Sequence, residues 1–472
     1  MATTPSDAPQ RQHYNVTLAV LAIAGISYAL LQSLVAPALP DIQEELHCSE
    51  SAVAWVLTGY LLSASVATPI VGRLGDIHGK ERVLMIVLVI LAVGTLISAV
   101  ASSIGLMVAG RIVQGVGGGI FPLAFGIIRD EFPREKVAGG IGLMSSLIGV
   151  GGGAGVVLAG VIVSGLSYHW LFWLPMVVVA GSALLTHLYV PESPIKAPAR
   201  INWTAAALMS VGLAMVLLAV SQAETWGWTS AKLLGLAAAG IAVCGLWVWF
   251  ETRSRVPLVD MRMMRIKGVW TTNVVAVLFG AGMYSSFVLI PTFVQEPAST
   301  GYGFGSTVTE AGLFLLPSTL AMLIIGQFTG RLERRFGSKP PLLAGSAVSI
   351  LSYAMLALTH DHPWEVYVAS GLLGLGIGLA FAAMANLIVE SVRAEQTGVA
   401  TGMNTVMRTL GGAFGSQVAA SMLAASVVAD HPTEGAFVGA FLLCTGALVA
   451  SLVAGAIIPS RAARAEAQLQ PA

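Results

Sequence analysis

The chain has 472 residues and no formal net charge; 56% of its residues are hydrophobic and only 10% are charged. Soluble domains carry about 25% charged residues, so this chain cannot cover a globule of its length with polar side chains, and the solvent it meets is lipid. The charge balance gives no sign of a nucleic-acid partner, and three scattered cysteines (Cys48, Cys244, Cys444) suggest neither a disulfide framework nor a metal site.

Residues 1–15 are polar and read as a cytoplasmic tail. The apolar run 16–39 is too long for a signal-peptide core and no clear small-x-small cleavage site follows it, so it is expected to be the first membrane helix. A helix needs about 20 apolar residues to span a bilayer. Further runs of that kind occupy 51–71, 83–102, 104–128, 137–164, 168–190, 202–221, 231–250, 268–293, 308–330, 341–358, 364–389, 399–428 and 435–458, which makes about fourteen spans. Strand alternation at barrel length is absent, so a β-barrel is not expected.

With the N-terminus inside, basic residues crowd the inner segments. They include Arg11, Arg73, Lys80, Arg82, Arg129, Arg134, Lys136, the group Arg253 to Lys267, the group Arg331 to Lys339, Arg393, Arg461 and Arg464. The outside keeps essentially Lys232 alone, and Arg111 and Arg408 fall inside spans. This asymmetry places both termini in the cytoplasm and requires an even number of spans.

The halves repeat. Gly72-Arg73-Leu74 with Gly79 matches Gly330-Arg331-Leu332 with Gly337; Gly115, Gly117 and Gly119 match Gly374, Gly376 and Gly378; Met144, Gly152 and Gly153 match Met403, Gly411 and Gly412. The offset is 258 or 259 throughout. The expected fold is therefore an all-α polytopic membrane protein with two parallel-repeat six-helix bundles, 16–190 and 268–458. A linker at 191–267 carries two inserted helices, and a second cytoplasmic tail spans 459–472. Parallel repeats about the membrane normal are a transporter architecture with a site at their interface.

The segment Gly72-Arg73-Leu74-Gly75-Asp76-Ile77-His78-Gly79-Lys80-Glu81-Arg82 lies in a short loop after span two. Its glycines permit a tight turn and close helix approach. Asp76 can accept from a neighbouring helix N-terminus, and Lys80 and Arg82 can pair with a carboxylate such as Asp130. The bland alternative is a basic loop that only sets topology. The segment resembles the signature loop of the major facilitator superfamily, G-x-L-A/G-D-x-x-G-R/K-x-R/K, and its position after span two matches.

Span four carries Arg111-Ile112-Val113-Gln114-Gly115. An arginine inside a span costs about 2.5–3.5 kcal/mol and needs a partner or a cavity, unless it snorkels to the surface. The segment resembles the R-x-x-Q-G motif of superfamily exporters, which implies a part in proton coupling for Arg111 and Gln114. Span five carries Gly149, Gly151, Gly152, Gly153, Gly155 and Gly160. This resembles the antiporter motif G-x-x-x-G-P-x-x-G-G, with Val156 in place of the proline and Ala159 in place of a glycine, and implies close packing of spans two and five. Tyr168 to Trp173 resembles the W-R-W-x-F-W step into span six; an interfacial aromatic belt is the alternative.

Together these segments are similar to the fourteen-helix drug:proton antiporter branch (QacA/EmrB-like). One departure concerns the acid in span one, within L-D-x-T-x-x-N-x-A-L-P: here Leu31 replaces Asp and Ala36 replaces Asn. No acidic residue falls deep in a span, which leaves Asp76, Asp130 and Glu310, the last grouped with Arg111 and Gln114, as candidate proton groups. Candidate substrate contacts are Tyr28, Gln32, Met144, Asn273, Tyr284, Phe381, Asn386, Asn404 and Arg408. Arg408 in particular calls for an anionic group, a carboxylate or a carbonyl cluster.

The expected function is secondary active transport by alternating access, with proton-coupled export of an amphiphilic organic compound. A metabolite importer or facilitator of the same fold, or a membrane sensor without transport, are the alternatives. No nucleotide motif or intramembrane catalytic pair is found, so neither an enzyme nor a cofactor is expected. The expected partners are a small molecule, protons and the lipid bilayer, and the resemblance implies a bacterial plasma membrane.

Overall fold

The computed structural model describes residues 14–193, 195–197, 200–428 and 431–459. All but Tyr14, Asn15 and Pro459 of the two expected tails, and with them Arg11, Arg461 and Arg464, lie outside the described residues.

The long helices, in chain order, are α1 Tyr14–Ser33, α2 Trp55–His78, α3 Lys80–Ala99, α4 Ile104–Glu131, α5 Arg134–Gly165, α6 Trp170–Tyr189, α7 Trp203–Ser221, α8 Ala231–Arg253, α9 Lys267–Gln295, α10 Val308–Phe336, α11 Lys339–Leu358, α12 Pro363–Ser391, α13 Thr397–Ala425 and α14 Glu434–Ala456. Thirteen are both long and apolar enough to cross a membrane. The remaining one, α13, has the length at 29 residues. Its shortfall is apolarity, since Thr401, Asn404, Thr405, Arg408 and Thr409 share its length.

Local chemistry sets the boundaries. α2 ends because Gly79 adopts φ 109°, and α10 ends at the repeat-related Gly337, with φ 79°. Only glycine takes such angles without strain. Thr307 and Glu310 form a capping box at the start of α10, and His362 and Glu365 do the same for α12. The first span stops at Ser33, shorter than expected; Pro37 and Pro40 then shape a 3-10 turn, Ala36–Ala38, and a short helix, Leu39–Glu45. Span four is interrupted at Val116–Gly119 by a glycine-rich 3-10 turn. After α13 the backbone forms a pair of two-residue strands, Val427–Val428 and His431–Pro432.

One hydrophobic core is built on α1–α6 and takes in Ala385 and Val389 of α12 across the seam, and a second is built on α9–α14. A third joins α7 and α8 to α12 and α13. The seam between the bundles repeats itself: α5 packs on α10 and α12, and α13 packs on α2 and α4. At one end of the seam, a Cβ added at Gly72 would strike the backbone of Gly398, and one added at Gly330 would strike that of Gly139. This loop end of the seam carries the Gly72–Arg82 segment.

The glycine run of α5 corrects an expectation. Its partners are α1 and α10, not α2. Cβ atoms at Gly149 and Gly153 would meet Met322 and Thr319 of α10, and Gly160 lies near Thr309. Gly151 and Gly155 instead face Ala29 and Ser33 of α1. Four-residue spacing puts each pair on one helix face. α2 is excluded because α1 and α10 already occupy those two faces.

Candidate functional site

Midway along the seam is a cavity of about 40 Å³, room for roughly two or three waters. Tyr28 and Gln32 of α1 line it from one bundle, Tyr284 of α9 and Arg408 of α13 from the other. Arg408 is 7% exposed. Its guanidinium lies 4.3 Å from the centre of the Phe381 ring and interacts with the Tyr284 side chain, while its Nε has no hydrogen-bond partner. No carboxylate is among the cavity's lining residues. A cleft of about 100 Å³ adjoins it, sharing Leu61, Tyr284 and Thr409 and reaching Leu217 of the inserted α7.

Behind Tyr28 sits Arg111, with 0% exposure, so it does not snorkel. Arg111 Nε donates to Val56 O (3.1 Å), and NH1 donates to Leu31 O (3.0 Å) and Gln114 Oε1 (2.7 Å). The guanidinium lies 4.2 Å from the Tyr60 ring centre, and Tyr60 stacks on Tyr28 with centroids 6.0 Å apart. Gln114 Nε2 donates onward to Ser98 Oγ at 3.2 Å. Arg111 thus ties α1, α2 and α4 together, using the backbone carbonyl of Leu31 at the position where the resembled motif has an acid. NH2 has no partner.

The loop end carries buried carboxylates on both halves of the seam, Asp76 and Asp130 on the first and Glu333 on the second. Asp76 accepts from Gly398 N and Val399 N, both at 3.0 Å, so a side chain of the first bundle caps helix α13 of the second. Lys80 Nζ lies 2.6 Å from Asp130 Oδ2 and 3.9 Å from Asp76 Oδ1. Ser193 Oγ also donates to Asp130. Arg129 crosses the seam to Thr397 Oγ1 (2.7 Å) and Val392 O (2.8 Å). Arg82, expected to share the pairing with Asp130, is exposed and joins no ion pair among the described residues. It lies at the outer face of α3, whereas Lys80 points inward at the turn.

Glu333 of α10 occupies the other half of this end and is 4% exposed. Asn386 Nδ2 donates to Glu333 Oε2 at 2.6 Å and contacts Ala138 O of α5 at 3.4 Å. Oε1 has no partner, and no basic group forms an ion pair with Glu333 among the described residues. Ser338 stands at the repeat position of Lys80 and hydrogen-bonds Glu390 (3.1 Å). Arg334, at the repeat position of Asp76, donates to Glu135 O at 2.8 Å.

Residues 21–416 match the Major Facilitator Superfamily. The chain belongs to that family. Among its relatives, the tetracenomycin C resistance and export protein of Streptomyces glaucescens is 28% identical over 415 residues, 85% of this chain and 74% of that one. Multidrug resistance protein Stp of Mycobacterium tuberculosis (strain CDC 1551 / Oshkosh) is 28% identical over 384 residues, 80% of this chain and 70% of that one. The crystal structure of the human organic anion transporter MFSD10 (TETRAN) shares the fold, with a TM-score of 0.68 at 16% identity, covering 95% of this chain and 100% of that one.

Within this superfamily fold the candidate contacts separate. Tyr28, Gln32, Tyr284 and Arg408 meet at the cavity, with Phe381 beneath Arg408. Met144 is instead packed against α1 near Gly25. Asn404 Nδ2 donates to Asn273 Oδ1 at 2.9 Å, so those two clamp α13 to α9, and Asn386 serves Glu333. Glu310 is exposed in its capping box, at the end of α10 opposite the loop end, with no contact to Arg111. Sequence reading missed Glu333 and Glu251. The Glu251 carboxylate accepts from Leu258 N (3.0 Å), Val259 N (3.1 Å) and Trp247 Nε1 (3.2 Å), which holds the turn after α8. The signal for Glu333 was the unpartnered Asn386 in span twelve.

Proposed function

We propose that this superfamily transporter exports amphiphilic organic compounds across a bacterial plasma membrane in exchange for protons, with the loop end and both termini on the cytoplasmic side. The observation that carries this reading is a cavity on the seam between two repeats whose loop end is held by contacts that a rocking motion can break. Those contacts are the Asp76 cap on α13, the Arg129 bonds to α12 and α13, and the paired glycine approaches. The resistance and export protein of Streptomyces glaucescens that this chain is similar to supports the direction, and the multidrug resistance protein Stp accords with it.

Gly72, Asp76, Gly79, Lys80 and Asp130 form the latch in this reading. Tyr28, Gln32, Tyr284 and Arg408 contact the substrate. Arg111 and Gln114 transmit occupancy of the cavity to α1 and α2 through Tyr28 and Tyr60. Glu333 carries the proton, because an ionised carboxylate without a cation is costly in a buried site, and protonation removes the charge.

The test is proton movement in proteoliposomes containing the purified chain and a pH-sensitive dye, screened with lipophilic compounds of each charge. Substrate-evoked proton movement in protein-containing vesicles and not in empty ones is expected. Substrate flux down its own gradient without a proton signal would replace the exchanger with a facilitator.

A further inference from the structure

We propose that the compound carried is an amphiphilic organic acid, its anionic group held by Arg408 and its apolar body lying in the adjoining cleft. This rests on the transport reading above and names the substrate of that same cavity.

The cavity has one permanently charged side chain among those that line it, and the charge is positive. Arginine stays ionised in proteins, so Arg408 brings a fixed cation into the middle of a membrane-embedded bundle. A buried cation is tolerated when something compensates it. Arg408 has an aromatic face on one side, Phe381 at 4.3 Å, and the Tyr284 side chain on another. Both are neutral. It forms no ion pair among the described residues, and its Nε has no hydrogen-bond partner. By contrast, Lys80 at the loop end meets two carboxylates. Arg408 has no such counter-charge among the described residues.

A second cation reinforces the sign. Arg111 lies one aromatic layer behind the wall, against Tyr60, which stacks on Tyr28. It too makes no ion pair among the described residues, only bonds to neutral oxygens. Two guanidinium groups from opposite bundles therefore bias one small, poorly hydrated space towards negative charge. Guanidinium matches planar carboxylates and sulfonates through paired N–H donors. A cationic drug in the same place would meet like charge with little screening.

The rest of the molecule has somewhere to go. The adjoining cleft of about 100 Å³ is walled mainly by Leu61, Leu62, Leu217, Tyr284 and Ala413. It shares its wall with the cavity and extends beside α7. Acid head at Arg408 and apolar body against Leu61 and Leu217 is the arrangement these two spaces fit.

The test uses two xanthene dyes of opposite charge, anionic fluorescein and cationic rhodamine 6G, with the purified full chain. Fluorescence anisotropy should show fluorescein binding to the wild type, roughly tenfold or more weakened in Arg408→Gln and partly kept in Arg408→Lys. Naphthalene-2-sulfonate should displace the dye from the wild type and 2-naphthylmethylammonium should not, a comparison that needs no variant to fold. Preferential binding of rhodamine 6G, or displacement by the ammonium compound as readily as by the sulfonate, overturns the acid. So does fluorescein binding unchanged in Arg408→Gln. In each of these cases the transport reading is judged separately, by substrate-evoked proton movement in the proteoliposome screen; a chain that moves protons with cationic drugs alone keeps that reading and loses this one.

Discussion

Asp76 spends both carboxylate oxygens on the backbone of the opposite bundle. In Asp76→Asn one oxygen still accepts, while the amide nitrogen faces a second N–H donor that it cannot bond. Leaving a buried group unpaired costs about 1–3 kcal/mol, enough to shift a two-state equilibrium roughly 5- to 150-fold. Spin labels at Arg82 and Arg335, both exposed near the loop end, should show a larger population of the longer distance in the variant. Unchanged distances would mean that Asp76 does not hold the latch. Arg111 poses a different test, because its fork reaches three oxygens on three helices. Lysine has a single ammonium and cannot reproduce that spread, so Arg111→Lys should lower the unfolding midpoint in detergent as well as transport. A midpoint equal to wild type with transport lost would point to coupling alone. The burden on Arg111 was legible in the sequence because a lone charge in an apolar run demands compensation. Of its partners only Gln114, one turn away on the same helix, was legible; the other two are backbone carbonyls, which every residue carries. Glu333 escaped for another reason, since Arg331, Arg334 and Arg335 around it made the segment look like a solvated helix end.

Helices meet at the loop end through glycines that are related by the repeat. Gly72 lies on Gly398 across one side of the seam, and Gly330 lies on Gly139 across the other. The repeat was readable in Gly72, Gly79, Gly330 and Gly337. The pairing across the seam was not, because a sequence repeat says which positions are equivalent and not which ones touch. The same limit misplaced the glycine run of α5 against α2. Added methyl groups separate gate from bystander. Gly72→Ala and Gly330→Ala each drive a Cβ into opposing backbone, whereas a Cβ at Gly139 finds its nearest neighbour at 4.0 Å. The first two variants should populate the open loop end, seen as faster modification of buried loop-end positions by a water-soluble thiol reagent after cysteine substitution at Thr397. Gly139→Ala should behave as wild type. If Gly72→Ala opens this end and Gly330→Ala leaves it closed, the two sides of the seam are not equivalent hinges. α13 was the helix whose composition least resembled a span, and its polar residues face both the cavity and the latch, so its weak apolarity follows from its position on the seam.

At the scale of the molecule, the two halves of the loop end are built alike and charged differently. On the first side Asp76 and Asp130 surround Lys80, so that buried lysine and both buried carboxylates lie beside an opposite charge. On the second side Ser338 occupies the repeat position of Lys80, and Glu333 keeps a neutral partner, Asn386, which also touches α5 of the other bundle. Glu390 of α12 is the other acid nearby, bonded by Ser338. In the proposed cycle, proton exchange at Glu333 changes the charge of a contact on which the two bundles close, which would connect chemistry at one carboxyl to motion of the whole. Glutamine keeps the acceptor that Asn386 uses and fixes the neutral state. Glu333→Gln should continue to exchange labelled substrate for unlabelled substrate across a vesicle membrane, because exchange needs only the rocking step. It should fail to concentrate substrate when a pH gradient is imposed, because no proton is gained or lost in the cycle. Loss of both activities would make Glu333 a structural contact. Retention of gradient-driven accumulation would move proton coupling to the Arg111–Gln114 cluster or to Asp76, and the comparison of the two flux modes decides among these in one preparation.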